Sequence, residues 1–330
     1  MAPTVRKLHH VIGMLLALSA FFIWFDPRRA PVLVFVCLST SALVWRDAWR
    51  GASGTALRPA LLWAALALVL SASAQAIAVT EPFADGRPLT GRLTYIAVLA
   101  LLAALISVLN ARTPGERVWA LLMALLILVF LIPWLEGSGR MRRVSGLASL
   151  YIDSPWTLFY GTLAVVGVTN YLPTKFGWAA ACLGAVFILE YLGLTRVDWP
   201  PELRALVWEW VSWTVALSAW VARWIASRTP NSQGFERLWF WFRDHWGVVW
   251  ALRTQERFNR SAELARWPVR LSWFGLVASG ASQEASRLDD PAAAATFRGL
   301  IRRFAQAWRL DQVANLGPTT SCDGGDAGRR

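Results

Sequence analysis

Two carboxylates inside long apolar stretches are the residues of this chain best suited to chemistry within a membrane. Glu190 and Glu209 are the only acidic side chains well inside predicted spans, and both lie within two turns of the connection 194–203. An ionisable side chain in a bilayer is costly unless it is paired or hydrated, so it is a functional candidate by default. Two carboxylates at one depth could bind a cation or relay protons. The alternative is that each pairs with Arg196 or Arg204, or reaches the headgroup region.

A second candidate site is a cluster of arginines in the longest outer connection between predicted spans. Arg140, Arg142 and Arg143 lie close together there, followed by Tyr151 and Asp153. Guanidinium groups bind phosphate in a favourable geometry, so the cluster could hold an anionic substrate such as a lipid phosphate or a polyprenyl-linked sugar. A solvated loop that contacts lipid headgroups is the alternative interpretation.

Eight apolar stretches must position these side chains. Each reaches or approaches the roughly 20 residues that cross a bilayer core. They cover residues 9–25, 30–46, 59–79, 93–110, 118–135, 156–173, 176–193 and 205–225. The second and fourth are short and would depend on Trp45, Trp49 or Tyr95 at the interface. The sequence therefore predicts an all-α, polytopic integral membrane protein with seven to nine spans, eight being the best count.

The orientation depends on the region that follows the last span. The short connections divide their basic residues almost evenly, whereas Arg223 and Arg228 flank the last span and further arginines follow. Because basic residues accumulate on the cytoplasmic side, both termini are predicted to be cytoplasmic. The content of Arg, Ala and Leu, with only two Lys, is typical of a GC-rich bacterial coding sequence. The bacterial cytoplasmic membrane is the predicted location.

Residues 1–225 are thus predicted to form a transmembrane domain and residues 226–330 a cytoplasmic or interfacial helical tail. Apolar side chains recur at three- and four-residue steps from Phe235, which predicts a helix to about Arg266. This face contains Phe235, Leu238, Trp239, Phe242, Trp246, Val249 and Trp250. A second helix is predicted over 290–314, and the last dozen residues are predicted to be disordered.

The aromatic face of the first tail helix has two predicted destinations. One is the bilayer interface, where Trp is favoured. The other is a protein groove, which includes the chain's own membrane domain. The candidate residues for a partner or membrane interface are Phe235, Trp239, Phe242, Trp246 and Trp250.

The five residues from Trp246 to Trp250, WGVVW, resemble the WGxxW core of the Trp-rich loop in haem-handling cytochrome c biogenesis proteins. The motif of that family continues into Trp-Asp, where this chain has Ala251-Leu252-Arg253, and the family also needs membrane histidines as axial ligands. This chain has three His in total, and its WGxxW lies in a predicted cytoplasmic helix. We therefore predict no cofactor.

Several classes of function lose their usual machinery. Cys37, Cys182 and Cys322 are scattered without CxxC spacing, which argues against a disulfide framework or a zinc site. No phosphate-binding glycine loop, HExxH or GxSxG occurs. The formal charge of +12 comes without a nucleic-acid recognition motif, so anionic lipid is the predicted electrostatic partner rather than nucleic acid.

Three hypotheses for function follow. The leading one is a non-catalytic membrane subunit or assembly factor whose Trp-rich tail docks a membrane protein partner or the inner leaflet, because aromatic residues and Arg build interfaces. The second is a secondary permease that uses Glu190 and Glu209. The third is an enzyme that acts on lipid-linked anionic substrates through the Arg140–Arg143 loop, although the missing catalytic motifs weigh against an enzyme.

Overall fold

A computed structural model of the protein describes residues 3–85, 87–111, 121–132, 154–196, 198–228, 232, 234–278 and 291–315. Most of these residues are helical, and six helices are long and apolar enough to cross a membrane. This confirms the prediction of a helical membrane protein.

The membrane domain contains eight helices among its described residues. They are α1 (Pro3–Phe25), α2 (Ala30–Gly51), α3 (Arg58–Ala78), α4 (Pro88–Val108), α5 (Leu121–Ile132), α6 (Ser154–Thr169), α7 (Gly177–Thr195) and α8 (Pro201–Ala226). Each corresponds to one of the apolar stretches in the sequence. The described parts of α5 and α6 are shorter than a full span, so six of the eight predicted spans have the length and composition to cross a membrane.

Proline lies in the first turn of four spanning helices, namely α2, α3, α4 and α8. A first-turn residue has no partner for its N–H inside the helix, so proline costs nothing there and its fixed φ favours the helical start. The apolar sequence after each proline then continues the helix to a length that can cross a membrane.

Helices α4 and α8 form the centre of the domain. Most of α4 is buried, and α8 contacts α1, α2, α3, α4 and α7. Small side chains such as Ala97, Ala100 and Ala103 allow neighbouring helices to approach α4 closely. Tyr95 was expected at the interface but is 1% exposed. Because α4 starts at Pro88, five residues earlier than predicted, Tyr95 falls two turns inside the helix.

The tail contains both helices and strands. Its elements are α9 (Gly234–Leu264), β1 (Val269–Ser272), β2 (Gly275–Ala278), α10 (Pro291–Ile301) and α11 (Ala307–Asn315). The strands form an antiparallel hairpin in which Val269 pairs with Ala278. Asn259 of α9 fixes this hairpin, because its side chain accepts from the Leu271 N–H at 2.7 Å and donates to the Leu271 carbonyl at 2.9 Å. The all-α prediction is therefore corrected to mostly helical.

The second predicted tail helix is divided between α10 and α11. Residues 302–306 instead pair with the connection between α2 and α3, where Ala305 forms an antiparallel bridge with Thr55. The Ala56 N–H donates to the Phe304 carbonyl at 2.9 Å, and the Gln306 N–H donates to the Gly54 carbonyl at 2.8 Å. Hydrogen bonds to the membrane domain thus replace those of a continuous helix. The predicted disorder of the last dozen residues concerns a segment outside the described residues.

Candidate functional site

Glu190 is fully buried near the end of α7. Its two carboxyl oxygens have no hydrogen-bond partner among the described residues. Arg196 does not pair with it, because this arginine follows the end of α7 and is exposed. An unpaired charge in such surroundings is very unfavourable, and no described residue stabilises an ionised form of this carboxyl group.

Two tyrosines from neighbouring helices lie within electrostatic range of Glu190: Tyr95 of α4 and Tyr160 of α6. The Tyr95 hydroxyl donates to the Phe130 carbonyl of α5 at 2.8 Å. The Tyr160 hydroxyl has no partner in the described part of the chain, and its ring packs against Phe187, one turn before Glu190. Four helices therefore converge on one buried carboxyl group and two phenols.

Glu209 of α8 has a different environment, since it forms a buried ion pair with Arg87. The two side chains are 0% and 2% exposed, and the Arg87 guanidinium also lies 5.2 Å from the centre of the Phe83 ring. The alternative in which Glu209 pairs with Arg204 is not what the structure shows. Arg204 precedes Glu209 by five positions in the same helix, and residues at that spacing lie on different faces.

The residue before Glu209 determines how closely three helices pack. A Cβ atom on Gly91 of α4 would lie 2.7 Å from Trp208 Nε1, and a Cβ on Gly193 of α7 would lie 2.5 Å from Trp208 Cη2. The indole therefore occupies space that only glycine leaves free on both neighbours. This packing fixes the position of the α8 segment from which Glu209 reaches Arg87.

The two predicted site carboxylates thus have separate surroundings. Glu190 lies beside tyrosines and Glu209 beside an arginine, and no hydrogen bond or ion pair joins the two groups within the described structure. The other candidate site, Arg140, Arg142 and Arg143, falls on residues 133–153, which are outside the described residues.

The WGxxW segment is one of the places where the tail binds its own membrane domain. Trp246 Nε1 donates to the Ala111 carbonyl at 3.1 Å, and Trp250 Nε1 donates to the Leu109 carbonyl at 3.0 Å. These two carbonyls lie in the connection that directly follows α4. The two indoles therefore bind the segment at the end of a central membrane helix.

Gly247 allows this docking by breaking α9. Its φ of 75° and ψ of −172° interrupt the helix, so that the Val248 N–H donates to the Asn170 carbonyl at 2.8 Å. The Val249 N–H donates to Asn170 Oδ1 at 3.1 Å. Asn170 follows α6, and its neighbour Tyr171 donates through its hydroxyl to the His245 carbonyl at 3.0 Å. The interruption thus exposes main-chain donors for the connection after α6.

The predicted aromatic face is covered by the chain itself. Its five candidate interface residues, Phe235, Trp239, Phe242, Trp246 and Trp250, are between 0% and 7% exposed. They pack with Phe258, Phe297 and Phe304 in a core that also includes Ala56 and Val108 of the membrane domain. Of the predicted destinations, the structure shows packing on the chain's own membrane domain.

His245 lies in this junction with a half-buried ring. Burial, followed by the nearby charge of Lys175, lowers the pKa of His245 from 6.5 to about 4. The ring is therefore neutral in the docked tail at physiological pH. Its Nδ1 lies 2.8 Å from the Trp241 carbonyl.

We expect the docked tail to lose stability as the pH falls from 6.5 towards 4. His245 binds a proton in this pH range when the tail is undocked, but stays neutral when the tail is docked, because its pKa is then lower. Protonation therefore favours the undocked state. The expected loss is about 2 kcal/mol after allowance for partial exposure of the ring. Hydrogen exchange of α9 amides across this pH range measures it. His245→Gln should remove most of the pH dependence of α9 exchange. His10→Gln, at an exposed position of α1, is the control and should retain the pH dependence. If His245→Gln retained it as well, His245 would not be the group responsible.

No known protein family, curated protein or solved structure matches this chain.

Sequence reasoning did not identify Arg87, Tyr95, Tyr160 or Asn170 as parts of these sites. Tyr95 was assigned to an interface, and Tyr160 had no recognisable signal. A faint signal for Asn170 existed, because a polar residue at the end of a span has to satisfy main-chain groups there.

Proposed function

We propose that this protein is a secondary permease in which Glu190 binds and releases the coupling proton. The observation that carries the proposal is a fully buried carboxyl group without a counter-ion or hydrogen-bond partner among the described residues. Such a group is costly to retain in a membrane domain unless it has a function.

The surroundings of Glu190 support a change of protonation state. Tyr95 already uses its hydroxyl on Phe130, whereas the Tyr160 hydroxyl has no partner among the described residues. A phenol hydroxyl that moved to the carboxylate would donate a hydrogen bond to its ionised form and stabilise that form. Glu209 does not share this freedom, because Arg87 already balances its charge. We therefore assign proton exchange to Glu190 and a structural pairing role to Glu209.

The full topology is part of the same proposal: eight spans, with both termini in the cytoplasm. The tail contacts the connections 52–57, 109–111 and 170–175, which follow α2, α4 and α6. With eight crossings, these three connections and the tail all lie on one side of the membrane. If the chain crossed the membrane an odd number of times between one of these connections and the tail, the two would lie on opposite sides and could not be in contact.

Proton movement in liposomes tests the proposal. The purified protein is reconstituted around a pH-sensitive dye, and pools of amino acids, sugars and organic acids are added outside. We expect proton movement with at least one pool, and a reduction of about tenfold or more in Glu190→Gln. Glu202→Gln, an exposed carboxylate in the first turn of α8, is the matched control. Equal proton movement in wild type and Glu190→Gln, or none with any pool, would refute the proposal.

A membrane subunit or assembly factor is the second candidate function. The aromatic face of α9 cannot be the docking surface, because it is buried within the chain. Two exposed apolar side chains elsewhere in the tail favour this role instead. Leu264 at the end of α9 and Phe274 in the hairpin turn are 83% and 84% exposed. Affinity purification in mild detergent tests this role: a stoichiometric protein partner that Phe274→Ser removes would support it, and a protein that purifies alone would not.

A further inference from the structure

A cavity of about 520 Å³ lies where the tail meets the connection between α2 and α3. Its walls come from the end of α2, the first turn of α3 and the segment between α10 and α11. The residues that define its character are Trp49, Arg58, Leu62, Arg302, Arg303 and Trp308. Its volume falls within the range of small-molecule sites.

The cavity is held open by contacts on both sides. Gly54, at φ 71°, packs against the Trp308 indole, where a Cβ atom would lie 2.5 Å from the ring. The bridge between Thr55 and Ala305 joins the two walls, and Arg309 Nη2 donates to the Gly51 carbonyl at 2.5 Å. The walls are therefore fixed by the fold rather than formed by a ligand.

The charge of the cavity is positive. Three arginines line it, and no carboxylate is among the lining residues. The Arg58 guanidinium lies 5.4 Å from the centre of the Trp49 ring and contacts Ser53 Oγ at 3.4 Å. Arg58 and Arg302 are both exposed, and neither forms an ion pair within the described residues. Two of the guanidinium groups that line the cavity are thus without a carboxylate partner among the described residues.

The position of the cavity indicates where that anion comes from. Helices α2 and α3 are both long and apolar enough to span the membrane, so the connection between them lies at the level of the lipid headgroups. Leu62 and Trp308 are 57% and 50% exposed at its edge. An apolar and aromatic edge next to arginines suits a molecule with an anionic head and an acyl chain.

We propose that this cavity binds the phosphate of an anionic phospholipid. Arg58 and Arg302 contact the phosphate oxygens, Trp49 and Trp308 cover the glycerol region, and Leu62 lies against an acyl chain. Occupancy ties α3 to the segment between α10 and α11, so the bound lipid strengthens docking of the tail on the membrane side.

Binding in nanodiscs of stated composition tests the site. We expect wild-type protein to retain phosphatidylglycerol over phosphatidylcholine by about tenfold or more in native mass spectrometry. Arg58→Gln combined with Arg302→Gln should abolish this preference. Arg257→Gln combined with Arg260→Gln removes the same charge from exposed positions of α9 and should retain it. Hydrogen exchange of α9 verifies that each variant keeps its tail docked.

Soluble phosphates distinguish the source of the ligand. If glycerol 3-phosphate or inorganic phosphate binds in detergent with the same dependence on Arg58 and Arg302, while phosphatidylglycerol shows no preference, the phosphate chemistry holds and the lipid source is overturned. If wild type shows no preference for any of these probes, or if the Arg58 and Arg302 variant retains it, the site itself is overturned. Neither result depends on the role assigned to Glu190.

Discussion

Replacing Gly247 with alanine is expected to undock the tail from the membrane domain, at a cost of roughly 3–5 kcal/mol. Two effects add. The φ of 75° combined with an extended ψ is a conformation that is essentially restricted to glycine. A Cβ atom would also lie 2.3 Å from Asn170 Nδ2 and 2.5 Å from the Asn170 carbonyl oxygen. The substitution therefore removes the geometry that lets Val248 and Val249 donate to Asn170.

Hydrogen exchange over 234–264 and trypsin cleavage after Arg253 measure this effect, and both should accelerate in Gly247→Ala. Gly299→Ala in α10 is the matched control, because a Cβ atom there meets nothing within 4 Å. That control should be neutral or slightly stabilising, by up to about 1 kcal/mol, since alanine favours a helix over glycine. Unchanged exchange of α9 in Gly247→Ala would show that the tail does not depend on this break.

Breaking the Arg87–Glu209 pair from one side is the second large effect. Glu209→Gln leaves an uncompensated guanidinium that is 2% exposed, and Arg87→Gln leaves an uncompensated carboxylate that is 0% exposed. Each single change should lower the free energy of unfolding by roughly 3–5 kcal/mol. The double change should cost less than either single one, because no unpaired charge remains.

Thermal unfolding of all four proteins in the same detergent gives the coupling between the two side chains. Asp47→Asn is the control, since Asp47 pairs with Arg223 at 2.9 Å but both side chains are about one-third exposed. This change should cost less than about 1 kcal/mol, because water screens the pair. Additive losses in the Arg87 and Glu209 series would show that the two residues act independently.

Local sequence determined the elements of this protein, because hydrophobic length and periodicity are properties of single segments. Eight apolar stretches became eight described helices, and six of these have the length and composition of a full span. The regular aromatic spacing from Phe235 correctly placed one buried face on α9, with the exception of Val249, which is 36% exposed. The same logic identified Glu190 and Glu209 as buried carboxylates, since each lies inside a long apolar run.

Only the tertiary structure decided what each side chain meets. Glu209 pairs with Arg87, 122 positions away in the sequence, whereas Glu190 has no partner among the described residues. The break at Gly247 and the division between α10 and α11 were equally invisible, because both replace helical hydrogen bonds with bonds to distant connections. Periodicity reports which face of a segment is buried. It contains no information about which other segment covers that face, and the charge, docking and cavity of this protein all depend on that choice.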